Sequence, residues 1–167
     1  MMPNMGRLPA SGSTSIVVDA DPTDVWAVVC DPTRVGEWSH ETRAAAWESP
    51  ATEAAVGAEF VATNMLGRLR WRRRNEILEF DPPHTITWRT VPSRLYNDST
   101  RWTLRVEPVD GRTRLTQEFE VLALNPVMER LFYLFISKHR DRSDALRSDL
   151  EQIGALAERS STRGIVG

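Results

Sequence analysis

Acid–base chemistry in this 167-residue chain would depend on residues that are widely separated in the sequence. Its histidines are His40, His84 and His139, and carboxylates such as Asp98 and Glu118 could also move protons. The chain contains no G-x-S-x-G, no H-E-x-x-H, no Gly-rich phosphate loop and no G-x-G-x-x-G. Residue types alone therefore do not establish catalysis. A catalytic group can be identified only from where its side chain lies in the predicted helices and strands.

The C-terminal part of the chain carries a polar stripe on one face of a predicted helix. Asn125-Pro126 is a typical helix start, and no Gly or Pro interrupts the pattern until Gly154, which predicts a helix of about 30 residues. The face that should meet the rest of the protein is apolar at its ends and polar in its middle turns. Its apolar members are Met128, Leu131, Phe135, Leu146 and Ile153, and its polar members are Lys138, His139, Arg142 and Asp149.

Charges on this face need partners if they are buried. His139 and Arg142 would project into a cavity and hold the polar head of an amphipathic ligand, or the helix overhangs its neighbours there. A further alternative is that Arg142 pairs with a structural carboxylate. His139 is the weak catalytic candidate that this pattern supplies.

An arginine-rich segment, RLRWRRR at 68–74, suggests nucleic-acid binding at first sight. Alternation along a strand would instead place four of its arginines on a solvated outer face, which argues against nucleic acid as a partner. The inner face would carry Trp71 and Arg73, followed by Asn75. Arg73 is thus a second candidate to hold a ligand anion, the alternative being a structural ion pair.

Six tryptophans supply large apolar bodies, each with one N–H that needs a partner. They fill a core or line a pocket, and Trp26 is assigned to the core. The predicted ligand-binding aromatic residues are Trp38, Trp71, Trp88, Trp102, Phe119 and Phe135.

Two short helices are predicted near the N-terminus, because the sequence DPT occurs twice, at 21–23 and 31–33. In each copy the aspartate can cap the helix and the proline fixes the first turn. The second proline must end the first helix, so the pair is bent, at about 22–30 and 31–38. Helices this short require packing on a larger element.

That larger element is a predicted antiparallel sheet. Strand-like segments lie at 15–18, 42–48, 58–65, 68–80, 84–91, 99–108 and 112–122. Turn signals separate several of them, namely Gly67, Asp81-Pro82-Pro83 and Asp110-Gly111, and short connections favour antiparallel neighbours. Alternation places Trp102, Leu104 and Val106 on one face, with Leu115, Gln117, Phe119 and Val121 on the matching face of the next strand.

Composition indicates one globular domain. The formal charge of −2 shows no overall bias towards nucleic acid or an anionic membrane, and the single cysteine excludes a disulfide framework and a cysteine-based zinc cluster. No apolar run is long enough to span a membrane. We expect a cytoplasmic protein with flexible tails at 1–12 and 159–167 around a domain at 13–158.

The order of these elements resembles the START-like or SRPBCC superfamily, whose members include proteins described as polyketide cyclase/dehydrase. The resemblance rests on IVVDADPTDVW (16–26), DPTRVGEW (31–38), EILEFDPPHTITWR (76–89) and the closing helix, and it covers about residues 13–157. It implies an α+β helix-grip fold: a curved seven-stranded antiparallel sheet wrapped around a long C-terminal helix, with two short helices after the first strand. An apolar cavity lies between them, typically about 300–1,000 Å³ when it serves a ligand.

We therefore expect a cofactor-independent and metal-free protein, a monomer or weak homodimer, that binds a small hydrophobic or amphipathic molecule such as a lipid, polyketide or isoprenoid. Two alternatives remain. One is a cyclase/dehydratase-type enzyme that uses the same cavity, and the other is a protein-interaction module based on the aromatic turn LFYLF at 131–135.

Overall fold

The computed structural model describes residues 9–126 and 142–164. Both DPT copies begin a helix as predicted: α1 spans Pro22–Val29 and a 3₁₀ helix spans Pro32–Glu37. The Asp21 carboxylate accepts a hydrogen bond from the backbone N–H of Thr23 at 2.9 Å, and Asp31 does the same for Thr33. Each aspartate thus satisfies one of the unpaired N–H groups at a helix start.

Seven strands form one antiparallel sheet in the order β1-β7-β6-β5-β4-β3-β2. Their bounds are β1 Ser11–Val18, β2 Thr42–Trp47, β3 Glu59–Leu66, β4 Leu69–Asp81, β5 Thr85–Thr90, β6 Ser99–Val109 and β7 Arg112–Ala123. Strands β2 to β7 are neighbours in sequence order, and β1 pairs with β7. The predicted strands are confirmed.

Two of the predicted turns form β-hairpin connections in the structure. Gly67, with φ of 58°, connects β3 to β4. Asp110 and Gly111 both have positive φ, at 49° and 74°, and they connect β6 to β7. Two successive residues with positive φ match the right-handed twist of the flanking strands, which explains why Asp-Gly stands there.

One face of the sheet packs against the helices. The C-terminal helix, α2, spans Ser143–Gly164 and lies against β1 and α1. Its inward side chains are almost fully buried, and they are Leu146, Leu150, Ile153 and Ala157. The sheet contributes Ile77, Ile86, Leu104 and Leu115, each with no exposed surface. Trp26, assigned to the core, is half-buried and its ring lies 5.8 Å from that of Phe80.

The ends of the fold differ from expectation. β1 begins at Ser11 rather than at residue 15, so it extends into the segment predicted as the N-terminal tail. α2 continues through Gly154 to Gly164, past the predicted end of the domain at residue 158. Near its end, Ser161 donates a hydrogen bond to the Asp24 carboxylate of α1. Residues 127–141, the first half of the predicted long helix, lie outside the described residues.

Candidate functional site

A cavity of about 90 Å³ lies between the sheet, the 3₁₀ helix and α2. Its apolar wall consists of Val35, Trp38, Phe60, Ala62, Trp88 and Trp102. Its polar lining consists of Ser39, His40, Glu41, Thr42, Asn64, Arg73, Asn75, Thr90, Gln117 and Asp149. One cavity thus combines aromatic surface with several charged groups.

The aromatic wall is held by ring contacts within the core. The ring of Phe60 meets that of Trp88 nearly edge-on, with centroids 6.1 Å apart. Trp102 packs on Phe119 at 5.8 Å, and these two residues are paired across β6 and β7. Such aromatic pairs fix ring orientation beyond what apolar burial provides. Ring-to-ring contacts therefore support the aromatic wall on the sheet side.

Two polar atoms in this lining have no hydrogen-bond partner among the described residues. They are the indole Nε1 of Trp38 and the amide Oε1 of Gln117, and both side chains are 4% exposed. A buried donor or acceptor without a partner costs roughly 1–3 kcal/mol. Among the described residues, the side chains of the lining thus include one donor and one acceptor without a partner.

His40 and Asp149 form a clamp between the segment after the 3₁₀ helix and α2. The backbone N–H of His40 donates to Asp149 Oδ1 at 2.7 Å, and Nδ1 of the imidazole lies 2.8 Å from Oδ2. Because a carboxylate only accepts, Nδ1 carries the hydrogen. The second imidazole nitrogen, Nε2, has no hydrogen-bond partner in the described part of the chain.

The electrostatics of the clamp follow from these contacts. The hydrogen bond to Asp149 raises the pKa of His40, and partial burial of the imidazole opposes that shift. The His40 side chain is 41% exposed, whereas that of Asp149 is 3% exposed. The imidazole thus connects a buried carboxylate with solvent.

Glu41 and Arg142 add a second pair of opposite charges. Burial raises the pKa of the Glu41 carboxyl, while His40 and Arg142 favour its charged form. Burial lowers the pKa of the Arg142 guanidinium, and Glu41 opposes that shift. The Arg142 guanidinium also lies 5.0 Å from the centre of the Phe119 ring. Two proton carriers, His40 and Glu41, are therefore adjacent in one cavity.

Arg73 forms the structural ion pair that was one of its two predicted roles. Its guanidinium donates to both Asp98 carboxylate oxygens, at 2.9 and 2.7 Å, and to the Asp98 carbonyl at 2.9 Å. The side chain is 10% exposed and lies over the Tyr96 ring. Arg73 thereby fixes the β5–β6 loop while it also lines the cavity.

The predicted ligand-binding residues separate into four groups. Four line the cavity together, namely Trp38, Arg73, Trp88 and Trp102. Phe119 and Arg142 are not in this lining: the Phe119 ring packs on Trp102, and the Arg142 guanidinium lies over the Phe119 ring. Trp71 shares the strand face of Arg73 but does not line the cavity. Phe135 and His139 lie outside the described residues.

Several cavity residues were not predicted as site residues. Asp149 had a signal, because the helical period placed it on the inward polar stripe, and the structure buries it there. Asn75 and Gln117 were placed on inward strand faces but given no role. His40 and Glu41 follow a helix end and show no periodicity that would have revealed their position.

The cavity is smaller than expected. Its volume of about 90 Å³ lies below the roughly 300 Å³ at which ligand pockets usually begin. A ligand of more than a few atoms would have to displace side chains of the lining.

Two further classes of site are not supported by the described residues. They contain no group of three or more His, Cys, Asp or Glu side chains that could hold a metal ion. No helix among them is long and apolar enough to cross a membrane.

Comparisons with known proteins agree with this fold. Major latex-like protein 151 of Panax ginseng superposes with a TM-score of 0.60 and 17% identity, over 88% of this chain and 97% of that chain. A Nitrosomonas europaea protein gives 0.64 at 13% identity, over 92% and 97%. An Arthrobacter aurescens protein gives 0.64 at 20% identity, over 90% and 87%. None of the curated proteins matches the sequence.

A family match covers most of the chain. Residues 9–156 match the family described as polyketide cyclase / dehydrase and lipid transport. The predicted START-like assignment and the predicted helix-grip fold are both confirmed. The chain therefore belongs to the polyketide cyclase/dehydrase and lipid transport family.

Proposed function

We propose that this protein binds a small amphipathic molecule of the lipid, polyketide or isoprenoid class in the cavity between the sheet and α2. The observation that carries the proposal is the pair of unpartnered buried atoms, Trp38 Nε1 and Gln117 Oε1, in an aromatic lining. A guest with an apolar body and a polar end can pack on the aromatic side chains and also form hydrogen bonds with the polar groups of the lining.

The charges around the cavity support an amphipathic rather than a purely apolar guest. Glu41, His40 and Asp149 lie at one side of the lining, with the Arg142 guanidinium close enough to affect the pKa of both Glu41 and His40. Desolvating these groups is costly unless the guest makes hydrogen bonds to them. The apolar part of the guest would lie against Trp88 and Trp102.

Binding of a fluorescent fatty acid tests this proposal. Trp102→Ala removes an aromatic side chain of the cavity wall, and Arg142→Ala removes the guanidinium that lies over the Phe119 ring. Each variant should therefore bind the probe about tenfold more weakly than the wild type. Trp26→Ala is the matched control, because Trp26 is a half-buried tryptophan that packs on Phe80 outside the cavity. Wild-type affinity in both cavity variants, with folding intact by circular dichroism, would contradict the assignment.

Native mass spectrometry of freshly purified protein would identify the chemical class of the guest. A co-purified amphipathic molecule, lost on denaturation, is the expected result. The same measurement checks the oligomeric state, for which we propose a monomer or weak homodimer. We further propose that the protein acts in the cytoplasm without nucleic acid, metal or cofactor.

A second candidate function is a proton-transfer enzyme of the cyclase/dehydratase type. It is favoured by the Asp149–His40 clamp, which holds Nδ1 and leaves Nε2 without a partner in the described part of the chain, beside Glu41 in the same cavity. A base and an acid so placed could remove a proton next to a carbonyl and return one to a leaving hydroxyl. This candidate requires that Asp149 controls the titration of His40.

The third possibility, a protein-interaction module, depended on the aromatic turn at 131–135. That turn lies outside the described residues, and no contact in the described part of the chain favours it.

A further inference from the structure

Exposed apolar side chains gather at one end of the sheet. This mouth end comprises the end of β3 with the β3–β4 turn at 65–69, the β5–β6 loop at 91–98 and the last residues of β7. Seven large apolar side chains are exposed in the described part of the chain, and five of them lie at the mouth end. Those five are Met65, Leu69, Leu95, Tyr96 and Leu122, with Leu69 and Leu95 the most exposed at 62% and 81%.

Unpaired arginines accompany these side chains. Arg68, Arg70, Arg72 and Arg94 are exposed, and their side chains form no ion pair or hydrogen bond with any described residue. Elsewhere on the sheet, Arg89, Arg101 and Arg105 each pair with a glutamate. The mouth end therefore combines exposed apolar groups with positive charge that no described residue compensates.

The β5–β6 loop presents its apolar tip from a fixed base. Asp98 is held by the guanidinium of Arg73, which also lies over the ring of Tyr96 at 5.4 Å. A turn closed by the hydrogen bond from Ser93 N to the Tyr96 carbonyl at 2.7 Å places Leu95 at the tip. The exposure of Leu95 is thus imposed by contacts beneath it.

Several residues of the cavity lining lie towards the mouth end of their strands. Thr42 at the start of β2, Asn64 near the end of β3 and Thr90 at the end of β5 all line the cavity. Antiparallel pairing brings these strand ends together at the mouth end. A surface that covers the mouth end would therefore lie near this part of the cavity lining.

We propose that the mouth end docks on an anionic lipid bilayer, with Leu69 and Leu95 entering the interface and the neighbouring arginines contacting lipid phosphates. The two leucines project from separate turns rather than forming a continuous patch, which suits insertion among lipids better than packing on a protein. Arg70 and Arg72 are two residues apart on the outer face of β4, roughly 7 Å along the strand, so both lie within headgroup reach.

This proposal goes beyond ligand binding, because it identifies the surface at which a ligand would enter and leave the protein. Nucleic acid would satisfy the arginines but offers no apolar phase for Leu95. A bilayer with acidic headgroups satisfies both features, and an amphipathic guest could pass directly between the lipid phase and the cavity.

Co-sedimentation with lipid vesicles tests the docking. The protein should bind vesicles of phosphatidylcholine mixed with phosphatidylglycerol more strongly than vesicles of phosphatidylcholine alone, and salt should weaken that binding. The double variants L69E/L95E and R70E/R72E should each bind these vesicles at least about tenfold more weakly than the wild type. Both introduce negative charges that anionic lipids repel, and each also removes an attraction, that of the leucines or that of the arginines.

Matched controls come from the opposite end of the sheet. Val56, 68% exposed, lies in the loop before β3, and Arg112 and Arg114 lie at the start of β7. The variants V56E and R112E/R114E should bind vesicles as the wild type does. Equal binding by the mouth-end and control variants would overturn the assignment of the surface.

Other outcomes would also overturn the proposal. One is the absence of preference for anionic vesicles. Another is self-association in sedimentation velocity that L69E/L95E abolishes, without vesicle binding, which would identify a second copy as the occupant. Fatty-acid binding measured without vesicles is independent of this surface, so L69E/L95E should retain it. A loss of docking therefore remains distinct from a loss of ligand binding.

Discussion

His40 offers a direct measurement of the electrostatics inside the cavity. Its imidazole faces Asp149 from α2, Glu41 from its own segment and the Arg142 guanidinium. In an NMR titration, the pKa of His40 should lie above its usual value of about 6.5 in the wild type and should return towards that value in Asp149→Asn. The amide retains a hydrogen-bond acceptor but lacks the charge that favours the imidazolium.

The control for this titration is Asp98→Asn. Asp98 is a carboxylate near the same cavity that pairs with Arg73 and does not contact His40. Its replacement should leave the His40 titration close to that of the wild type. An unchanged His40 pKa in Asp149→Asn would show that the clamp does not control the imidazole, and the second candidate function would lose its basis.

The sign of the accompanying stability effect follows from linkage. Because the folded pKa of His40 is raised, its contribution to stability is complete below about pH 6.5 and is lost as the pH rises through the folded pKa. Glu41 acts in the same direction, since its raised pKa favours the protonated carboxyl in the folded state. Both groups therefore lower stability as the pH rises.

Sequence reasoning located only part of this site. The inward position of Asp149 followed from the helical period, and that of Arg73 and Gln117 followed from strand alternation, because burial on one face imposes a period on the sequence. His40 has no such constraint. His40 contacts Asp149, which is 109 positions away in the chain, and no local sequence pattern predicts such a contact.

At the scale of elements, Gly154 shows why the predicted helix end was wrong. Glycine often ends a helix, yet α2 continues through this position. A Cβ atom on Gly154 would lie 2.6 Å from the Cγ1 atom of Val18, so the glycine permits close packing of α2 on β1. Gly154, which suggested the end of a helix, instead allows α2 and β1 to approach each other closely.

Gly154→Ala should therefore destabilise the protein although alanine is the better helix former. The gain in helix propensity is about 1 kcal/mol, but overpacking in a tight core typically costs about 1–3 kcal/mol. Val18 is β-branched and 6% exposed, so it cannot rotate away freely. Urea unfolding should give a free energy lower by roughly 1 kcal/mol than that of the wild type.

A double-mutant cycle isolates this contact. In the V18A background the added methyl group has space, so Gly154→Ala should cost less there and could recover its helix-propensity advantage. A cost that is the same in both backgrounds would place the strain elsewhere. Increased stability of the single variant would contradict the close approach.

The remaining elements were predictable because turns and caps are local. The β3–β4 and β6–β7 turns and both aspartate caps occur where Gly67, Asp110-Gly111 and the two DPT copies predicted them. The N-terminal half of β1 was missed because Ser11, Gly12 and Ser13 have little strand propensity. Pairing with β7 determines their conformation.

At the scale of the whole molecule, the order of elements predicted the fold but not the volume of its cavity. A curved sheet on a straight helix leaves space, and side-chain packing then decides how much remains open. Here a cavity of about 90 Å³ remains, with Trp38, Trp88 and Phe60 in its lining. Packing at this level depends on rotamers and long-range contacts, which a single sequence does not display.

The polar atoms left in this small cavity imply a conflict between stability and function. Gln117→Met keeps the length of the side chain and removes a buried amide whose Oε1 has no partner among the described residues. Urea unfolding should therefore give a free energy about 1 kcal/mol higher than that of the wild type. Affinity for the fluorescent fatty acid should fall in the same variant, because the guest loses a hydrogen-bonding group.

The matched control is Gln152→Met on the exposed side of α2. Water satisfies that amide already, so neither stability nor affinity should change appreciably. Lower stability of Gln117→Met would mean that its amide is hydrogen-bonded in solution, and the cavity would lose an unused acceptor. Higher stability with weaker binding would instead show that this family member maintains an unsatisfied polar group in its core for the benefit of its ligand.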